Sequence, residues 1–344
     1  MTGFAPRHLA RALSLLCLSI PLAQAQDEIV LRDGSRILGT VTAVRGGIVT
    51  IETGFAGTLS VQQAQIESLS AEGPAVLKLA DDSVLETPAL QVENRELVLP
   101  TEVASSRTYQ LEDLSLVNPQ AWELGQGYRW TGLASFALGM QRGNTDTDEL
   151  DYRLDNTWRS LDDRYTLRIN GEVDEANGVK NAENWSALGK YDQFLNGSPY
   201  YWGINASAEQ DKFADLDLRY YVGPYLGRQF YEEPALTLSA EAGLVYVDEN
   251  FILAEDESYQ GANWSLHADS NILGGDSQLY LDHTGIWNLD QADEVILDVI
   301  MGLSFPMFMS IEGAAEVLLE YDSGAPDGVE ELDQTYRFRV GYSW

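Results

Sequence analysis

Tyr336-Arg337-Phe338-Arg339-Val340-Gly341-Tyr342-Ser343-Trp344 decides how the rest of the chain is read. Aromatic or β-branched residues take every second position, and charged or small residues lie between them. Period-two alternation makes a strand with one apolar and one polar face. Arginine on the polar face and an aromatic at the last position fit the closing strand of a membrane β-barrel, in which the polar face lines a lumen and the apolar face meets lipid. Tyr336, Phe338, Val340, Tyr342 and Trp344 form the outward set, which reads as the signal taken up by a barrel-assembly machinery.

Working back from that strand, residues 129–344 divide into 12 candidate strands, near 130–141, 149–160, 164–174, 183–194, 200–211, 218–231, 235–247, 262–272, 277–288, 294–305, 309–321 and 333–344. A tilted strand crosses a bilayer in about 9–11 residues, and each segment is long enough. In the second, Leu150, Tyr152, Leu154 and Trp158 alternate with Asp151, Arg153, Asp155, Thr157 and Arg159. The tenth puts Val295, Leu297, Val299, Met301, Leu303 and Phe305 on one face; in the eleventh, Met309, Ile311, Gly313, Ala315, Val317, Leu319 and Tyr321 oppose Ser310, Glu312, Glu316 and Glu320.

Tight turns are expected after the even strands, at Leu161-Asp162-Asp163, Asn196 to Pro199, Glu232-Glu233-Pro234, Leu273 to Asp276 and Pro306-Met307-Phe308. Longer acidic loops are expected after the odd ones, the longest from Asp248 to Gly261. Short turns on one side and longer loops on the other are the outer-membrane pattern. Trp130, Trp158, Trp202 and Trp344 then mark the short-turn girdle, and Trp185, Trp264 and Trp287 the long-loop girdle. Indole suits the interface because it is apolar with one N–H donor.

The opening Trp130-Thr131-Gly132, the Gly143-Asn144-Thr145 hairpin, the Val222-Gly223-Pro224-Tyr225 stretch and the closing aromatic strand resemble a family of uncharacterised barrels described as salt-induced outer-membrane proteins. The resemblance covers residues 128–344. It implies an outer-membrane location and osmotic regulation, and brings no reaction, ligand or catalytic residue.

Upstream, residues 26–118 read as a duplicated small β region, with repeats at 27–72 and 75–118 and an offset of 48. Ile29 to Ser35 maps onto Leu77 to Ser83, and Ile66-Glu67-Ser68-Leu69 onto Leu114 to Val117. Each repeat is too short to bury much alone, so the pair packs together in the manner of SH3-like or Sm-like barrels. Residues 119–128 are a linker. Residues 1–25 read as a signal peptide, with Arg7 and Arg11 ahead of an apolar run and Ala23-Gln24-Ala25 at the cleavage site. The sole cysteine, Cys17, lies in that segment, so the mature chain has no thiol chemistry. Because the first barrel strand starts on the short-turn side, the duplicated region is expected in the periplasm.

The formal net charge is −33, from 54 acidic and 21 basic residues. A nucleic-acid partner needs a basic surface and is excluded. The expected partners are outer-membrane lipid, lipopolysaccharide and the assembly machinery; no residue argues for a particular periplasmic partner. Acidic loops such as Glu255-Asp256-Glu257 could bridge divalent ions to lipopolysaccharide, but no metal or cofactor motif is present. Outer-membrane phospholipases hold His and Ser two apart; His267 is followed at that spacing by Asp269 and His283 by Gly285. No catalytic residue is assigned.

The inward set carries both signs: Asp151, Arg153, Asp155, Arg159, Arg168, Glu172, Lys190, Glu209, Glu241, Asp298, Glu312, Glu316, Glu320, Arg337 and Arg339, with Glu316 near Arg339. Buried charge must be paired or hydrated. A paired network fills the barrel and makes it a structural or envelope protein. A hydrated one makes a narrow cation-preferring pore, with the 248–261 loop as a constriction. A surface hydrolase is the distant third reading.

Overall fold

The computed structural model describes residues 26–99, 108–141, 143, 146–233, 235–273, 277–326 and 328–344. The expected signal segment, Asn144-Thr145, Pro234, Gly274-Gly275-Asp276 and Asp327 lie outside these residues. The chain divides into two units, Met1–Pro119 and Gln120–Trp344.

In the first unit, Asp27–Leu31 (β1), Arg36–Arg45 (β2), Ile48–Thr53 (β3), Gly57–Gln62 (β4), Ile66–Leu79 (β5), Val84–Glu93 (β6), Glu96–Leu97 (β7) and Leu114–Val117 (β8) form one sheet. Its order is β4-β3-β2-β1-β5-β6-β7, with β8 also on β5. The same bonds recur 48 positions apart. Leu31 N–H donates to the Ser35 carbonyl at 2.8 Å, and Leu79 N–H to that of Ser83 at 2.9 Å. Ile29 stands opposite Leu69, and Leu77 opposite Val117. The long strand β5 closes the first motif and opens the second. Both contribute to one buried core that includes Ile29, Ile51, Ile66, Leu77, Leu90, Leu111 and Leu114. Gln63 is buried there, and its amide donates to the carbonyls of Leu111 and Leu114 at 3.3 and 2.9 Å. A buried amide needs such partners, so this one ties the two motifs together.

In the second unit the strands are Arg129–Gln141 (β9), Thr147–Arg159 (β10), Asp163–Ala176 (β11), Val179–Phe194 (β12), Tyr200–Asp211 (β13), Leu216–Glu233 (β14), Leu236–Phe251 (β15), Glu257–Ser270 (β16), Gln278–Asn288 (β17), Val295–Phe308 (β18), Ile311–Asp322 (β19) and Leu332–Ser343 (β20). Among the described residues these antiparallel strands close a barrel in sequence order, β20 meeting β9. Burial is inverted relative to a soluble protein. Met140 is 78% exposed and Arg339 only 3%. Outward apolar side chains such as Leu138, Leu226, Leu244 and Phe338 would each lose about 1.5–3 kcal/mol by facing water rather than an apolar medium. Hydrocarbon removes that cost. The strand β14 runs 18 residues, well past a bilayer span.

Aromatic rings fill the space above glycines on the adjacent strand. Tyr152 faces Gly171, Tyr201 faces Gly227, Trp264 faces Gly285 and Tyr280 faces Gly302. A Cβ at Gly302 would fall 2.2 Å from the Tyr280 ring. A ring laid over a glycine restores the contact that the missing side chain leaves out.

The seam differs from the other joints. β9 and β20 pair only from Phe136 opposite Val340 to Leu133 opposite Ser343, extended by mutual bonds between Gly132 and Trp344 at 3.0 and 3.1 Å. Beyond Phe136, β9 pairs only with β10, and before Val340, β20 pairs only with β19.

Three expectations need correction. The 248–261 loop is mostly strand: β15 continues to Phe251, β16 starts at Glu257, and 252–256 connect them. Val247 and Tyr259 are buried against Ile286, so this segment is wall and no constriction loop exists there. Pro306-Met307-Phe308 is not a turn. The chain reverses at Met309 and Ser310, with φ of 49° and 61°, as a two-residue hairpin in a right-twisted sheet requires. Finally, the connections after odd strands are not generally long. Among the described residues, Asn177-Gly178 is a two-residue reversal, while β19 ends at Asp322 and β20 does not begin until Leu332.

Candidate functional site

The lumen is where the chain places its charges. Odd-numbered residues of β10 and β20 point inward, because neighbouring residues of a strand face opposite sides. Asp151 receives Arg337 at 2.6 Å and also Arg339. Arg337 further contacts Glu172. Arg339 binds Glu316 at 2.5 Å. Register sets Glu316 opposite Arg337, so its bond to Arg339 is a diagonal one. Glu316 also accepts the Tyr280 hydroxyl at 2.6 Å and Arg153 at 3.1 Å.

From there the network crosses the barrel. Arg153 reaches Asp155 at 2.7 Å and Asp282 at 3.9 Å. Arg168 reaches Asp155 at 3.1 Å and Asp282 at 3.6 Å. Strands β11 and β17 are on opposite walls, so these side chains meet in mid-lumen.

Two further clusters lie towards the ends. On the short-turn side, Arg164 binds Asp192 at 2.5 Å, and the Tyr225 hydroxyl donates to the same carboxylate. Lys190, Tyr201 and Ser265 converge on Glu241 at 2.5, 2.9 and 2.7 Å. Arg159 lies 3.6 Å from Glu232 and over the Phe194 ring. On the other side, Arg219 gathers Glu249, Glu209 and Asp322 at 2.6, 2.8 and 2.7 Å. Glu312, at the short-turn end beside the Met309-Ser310 reversal, lies next to Ser343. Glu320 and Asp298 stand directly opposite one another. A cavity of about 290 Å³ is lined by the Arg168–Asp282 crossing and the Arg219 cluster and also reaches Lys190, Glu241 and Ser265.

Period-two reading finds the inward set but misses Arg164, Asp192, Arg219, Glu249, Asp282 and the phenols of Tyr201, Tyr225 and Tyr280. Arg219 has a readable signal, since it stands opposite Glu209 on the next strand. The cross-lumen partners have none, because they depend on barrel closure.

The tryptophans make a belt at the short-turn end. Trp130 stacks on Trp158 at 6.3 Å and meets Trp344 at 5.6 Å, and Tyr165, Tyr191 and Trp202 continue the row. Trp287, next to last in β17, lies at the other rim and donates to the Ala292 carbonyl, whereas Trp185, seventh of the sixteen residues of β12, donates to Gln210 at 3.3 Å from within its strand. Trp264 is not at a rim. It sits midway along β16 and donates to His283 Nε2 at 3.0 Å. An indole nitrogen can only donate, so His283 carries its proton on Nδ1 and gives it to the Asp298 carbonyl at 3.0 Å. Both polar groups on this outward wall are thereby satisfied.

Register also aligns Ser239, His267 and Asp282 on three adjacent strands. His267 Nδ1 lies 2.8 Å from Asp282 and Nε2 3.3 Å from Asp269. A general base needs one nitrogen free to accept a hydroxyl proton. With carboxylates on both, this ring is held as an imidazolium and acts as another cation of the network.

The family model described as "Protein of unknown function, DUF481" matches residues 134–344. The chain belongs to this family. No curated protein matches the chain. The DUF481 barrel is similar to the NanC porin, with 11% identity, 62% of this chain and 98% of that one covered, and a TM-score of 0.39. It is similar to the translocator domain of the autotransporter NalP from Neisseria meningitidis, with 11% identity, coverage of 64% and 88%, and a TM-score of 0.35. The outer-membrane channel DcaP of Acinetobacter baumannii matches at 11% identity, coverage of 93% and 94%, and a TM-score of 0.32. Scores at this level add nothing beyond the barrel described above.

Proposed function

We propose that the protein is a non-enzymatic outer-membrane barrel whose lumen is closed by its own charges, and that it serves a structural role in the envelope. The contact between Arg168 and Asp282 on opposite walls carries this reading. Barrels of about eight strands are filled by side chains and those of 16–18 leave an aqueous channel. A 12-stranded barrel therefore closes only if long side chains reach across it, and here arginines do so. Buried ion pairs add little net stability, so their use in place of apolar filling points to a lumen that must stay polar yet shut. Residues 26–118 are the periplasmic part in this reading, displayed from a fixed membrane anchor. Lipid and lipopolysaccharide surround the outward face, and the assembly machinery reads Tyr336 to Trp344. The family resemblance adds a role under salt stress, in keeping with the acidic chain.

Planar-bilayer recording of the purified protein tests the closed lumen. Insertion without conductance steps supports it. Discrete cation-preferring steps would instead establish the narrow pore.

A further inference from the structure

The lumen on the long-loop side of the Arg168–Asp282 crossing has more acceptors than the chain has donors for. Asp298 on β18 and Glu320 on β19 are directly opposed, and neither makes an ion pair among the described residues. Like charges directly opposite on paired strands destabilise the sheet. Glu209 faces both from β13. The lining cations Arg168, Lys190 and Arg219 are each held by other carboxylates.

The opposite wall shows the same deficit independently. Asn205 lines the same cavity, is only 7% exposed, and its Oδ1 has no donor. Asn263 Oδ1 is likewise without one. A buried acceptor left unmade costs about 1–3 kcal/mol. Charge and hydrogen bonding therefore ask for the same thing, a positively charged donor.

We propose that this cavity binds a small organic cation with several N–H groups, of the linear polyamine class. Ammonium groups would lie against Asp298 and Glu320, and N–H donors along the chain would serve Asn205 and Asn263. Among the described residues no group of three His, Cys, Asp or Glu side chains could hold a metal ion, which favours an extended organic cation. The cavity of about 290 Å³ is at the lower end of the usual small-molecule range, roughly 300–1,000 Å³. The Arg168–Asp282 crossing is part of the cavity wall, and the ligand is held there and not passed.

Titration calorimetry of the full-length protein in detergent with spermidine tests this, at about 0.1 M salt to screen diffuse attraction. The wild type gives saturable heat. Asp298→Asn with Glu320→Gln weakens binding about tenfold or more, and Asn205→Leu about threefold. Glu320→Gln alone, at an exposed position, serves if the double variant does not fold. Glu52→Gln with Glu86→Gln, in the amino-terminal unit, leaves binding unchanged. Absent saturable heat, equal affinity in the Asp298/Glu320 variants, an equal loss in the Glu52/Glu86 control, or equally tight binding of sorbitol would each overturn the proposal. Binding is read by heat and closure by conductance, so the two readings fail separately.

Discussion

Arg168 and Asp282 approach to 3.6 Å from opposite walls of the barrel. Arg153 supports the same carboxylate at 3.9 Å, and His267 from a third direction at 2.8 Å. One acidic side chain thus gathers three cations from three strands, and the proposed closure of the lumen centres on it.

Removing the arginines should open the barrel. Arg153→Ala with Arg168→Ala leaves Asp155, Asp282 and Glu316 with fewer counter-charges, and water must enter to solvate them. The double variant is expected to show cation-preferring conductance where the wild type shows none. A silent variant that has inserted normally would place the closure elsewhere.

Glu316 is a buried acid that holds three partners of the network. Glu316→Ala strips partners from Arg153, Arg339 and the Tyr280 hydroxyl together. Removing one member of a buried ion pair costs about 3–5 kcal/mol. Urea unfolding in micelles should show a loss of that order. A change under about 0.5 kcal/mol, as at ordinary surface sites, would mean that water already replaces these contacts.

The ring-over-glycine packing is tested at Gly302. Gly302→Val should drive the Tyr280 ring off its seat and cost about 1–3 kcal/mol through overpacking. Gly34→Ala is a poor comparison because its φ of 88° adds backbone strain. Gly189, with open space around it and ordinary backbone, is the better one, and Gly189→Ala should be close to neutral.

Closing-strand variants test the assembly reading. Phe338→Asp puts a charge on the outward face, and Trp344→Ala removes the ring packed on Gly132 and Trp130. Both should reduce the heat-modifiable, folded fraction in membranes, the first more severely. Wild-type migration of both would remove the assembly role from these residues.

In the amino-terminal unit, Asp33 accepts the Ser35 N–H at 2.8 Å, which holds its carboxyl below the ordinary value of 3.8. Its folded pKa is depressed, so the turn gains its bond fully above that value and loses it as pH falls through the lower folded one. An NMR titration midpoint at or above 3.8 for Asp33 would contradict the bond.

Much of the barrel is legible because lipid on one side and charge on the other force strict alternation. Leu150 to Arg159 shows it plainly, whereas Val295 to Phe305 keeps an apolar outward face but also turns Ile296 and Ile300 inward. The reading fails where a rule competes. Asp248 and Glu249 look like loop because acids favour solvent, yet Glu249 faces inward to Arg219. Pro306 looks like a turn, yet it sits beside a bulge in β18 and the reversal falls at Met309-Ser310. Trp264 looks like girdle because indole favours interfaces, yet His283 gives it a partner at mid-wall. The inward charges follow from parity alone. Their partners across the lumen do not, because which wall meets which depends on strand stagger and tilt, and no local pattern encodes those.

The account depends most on the outward greasy wall being immersed in acyl chains. Reconstitution into bilayers of brominated phospholipid tests this through indole emission. Strong quenching of Trp130, Trp158 and Trp202, relieved in unbrominated lipid, is the expected result. Unquenched emission from a chain that also remains monodisperse in plain buffer would contradict it.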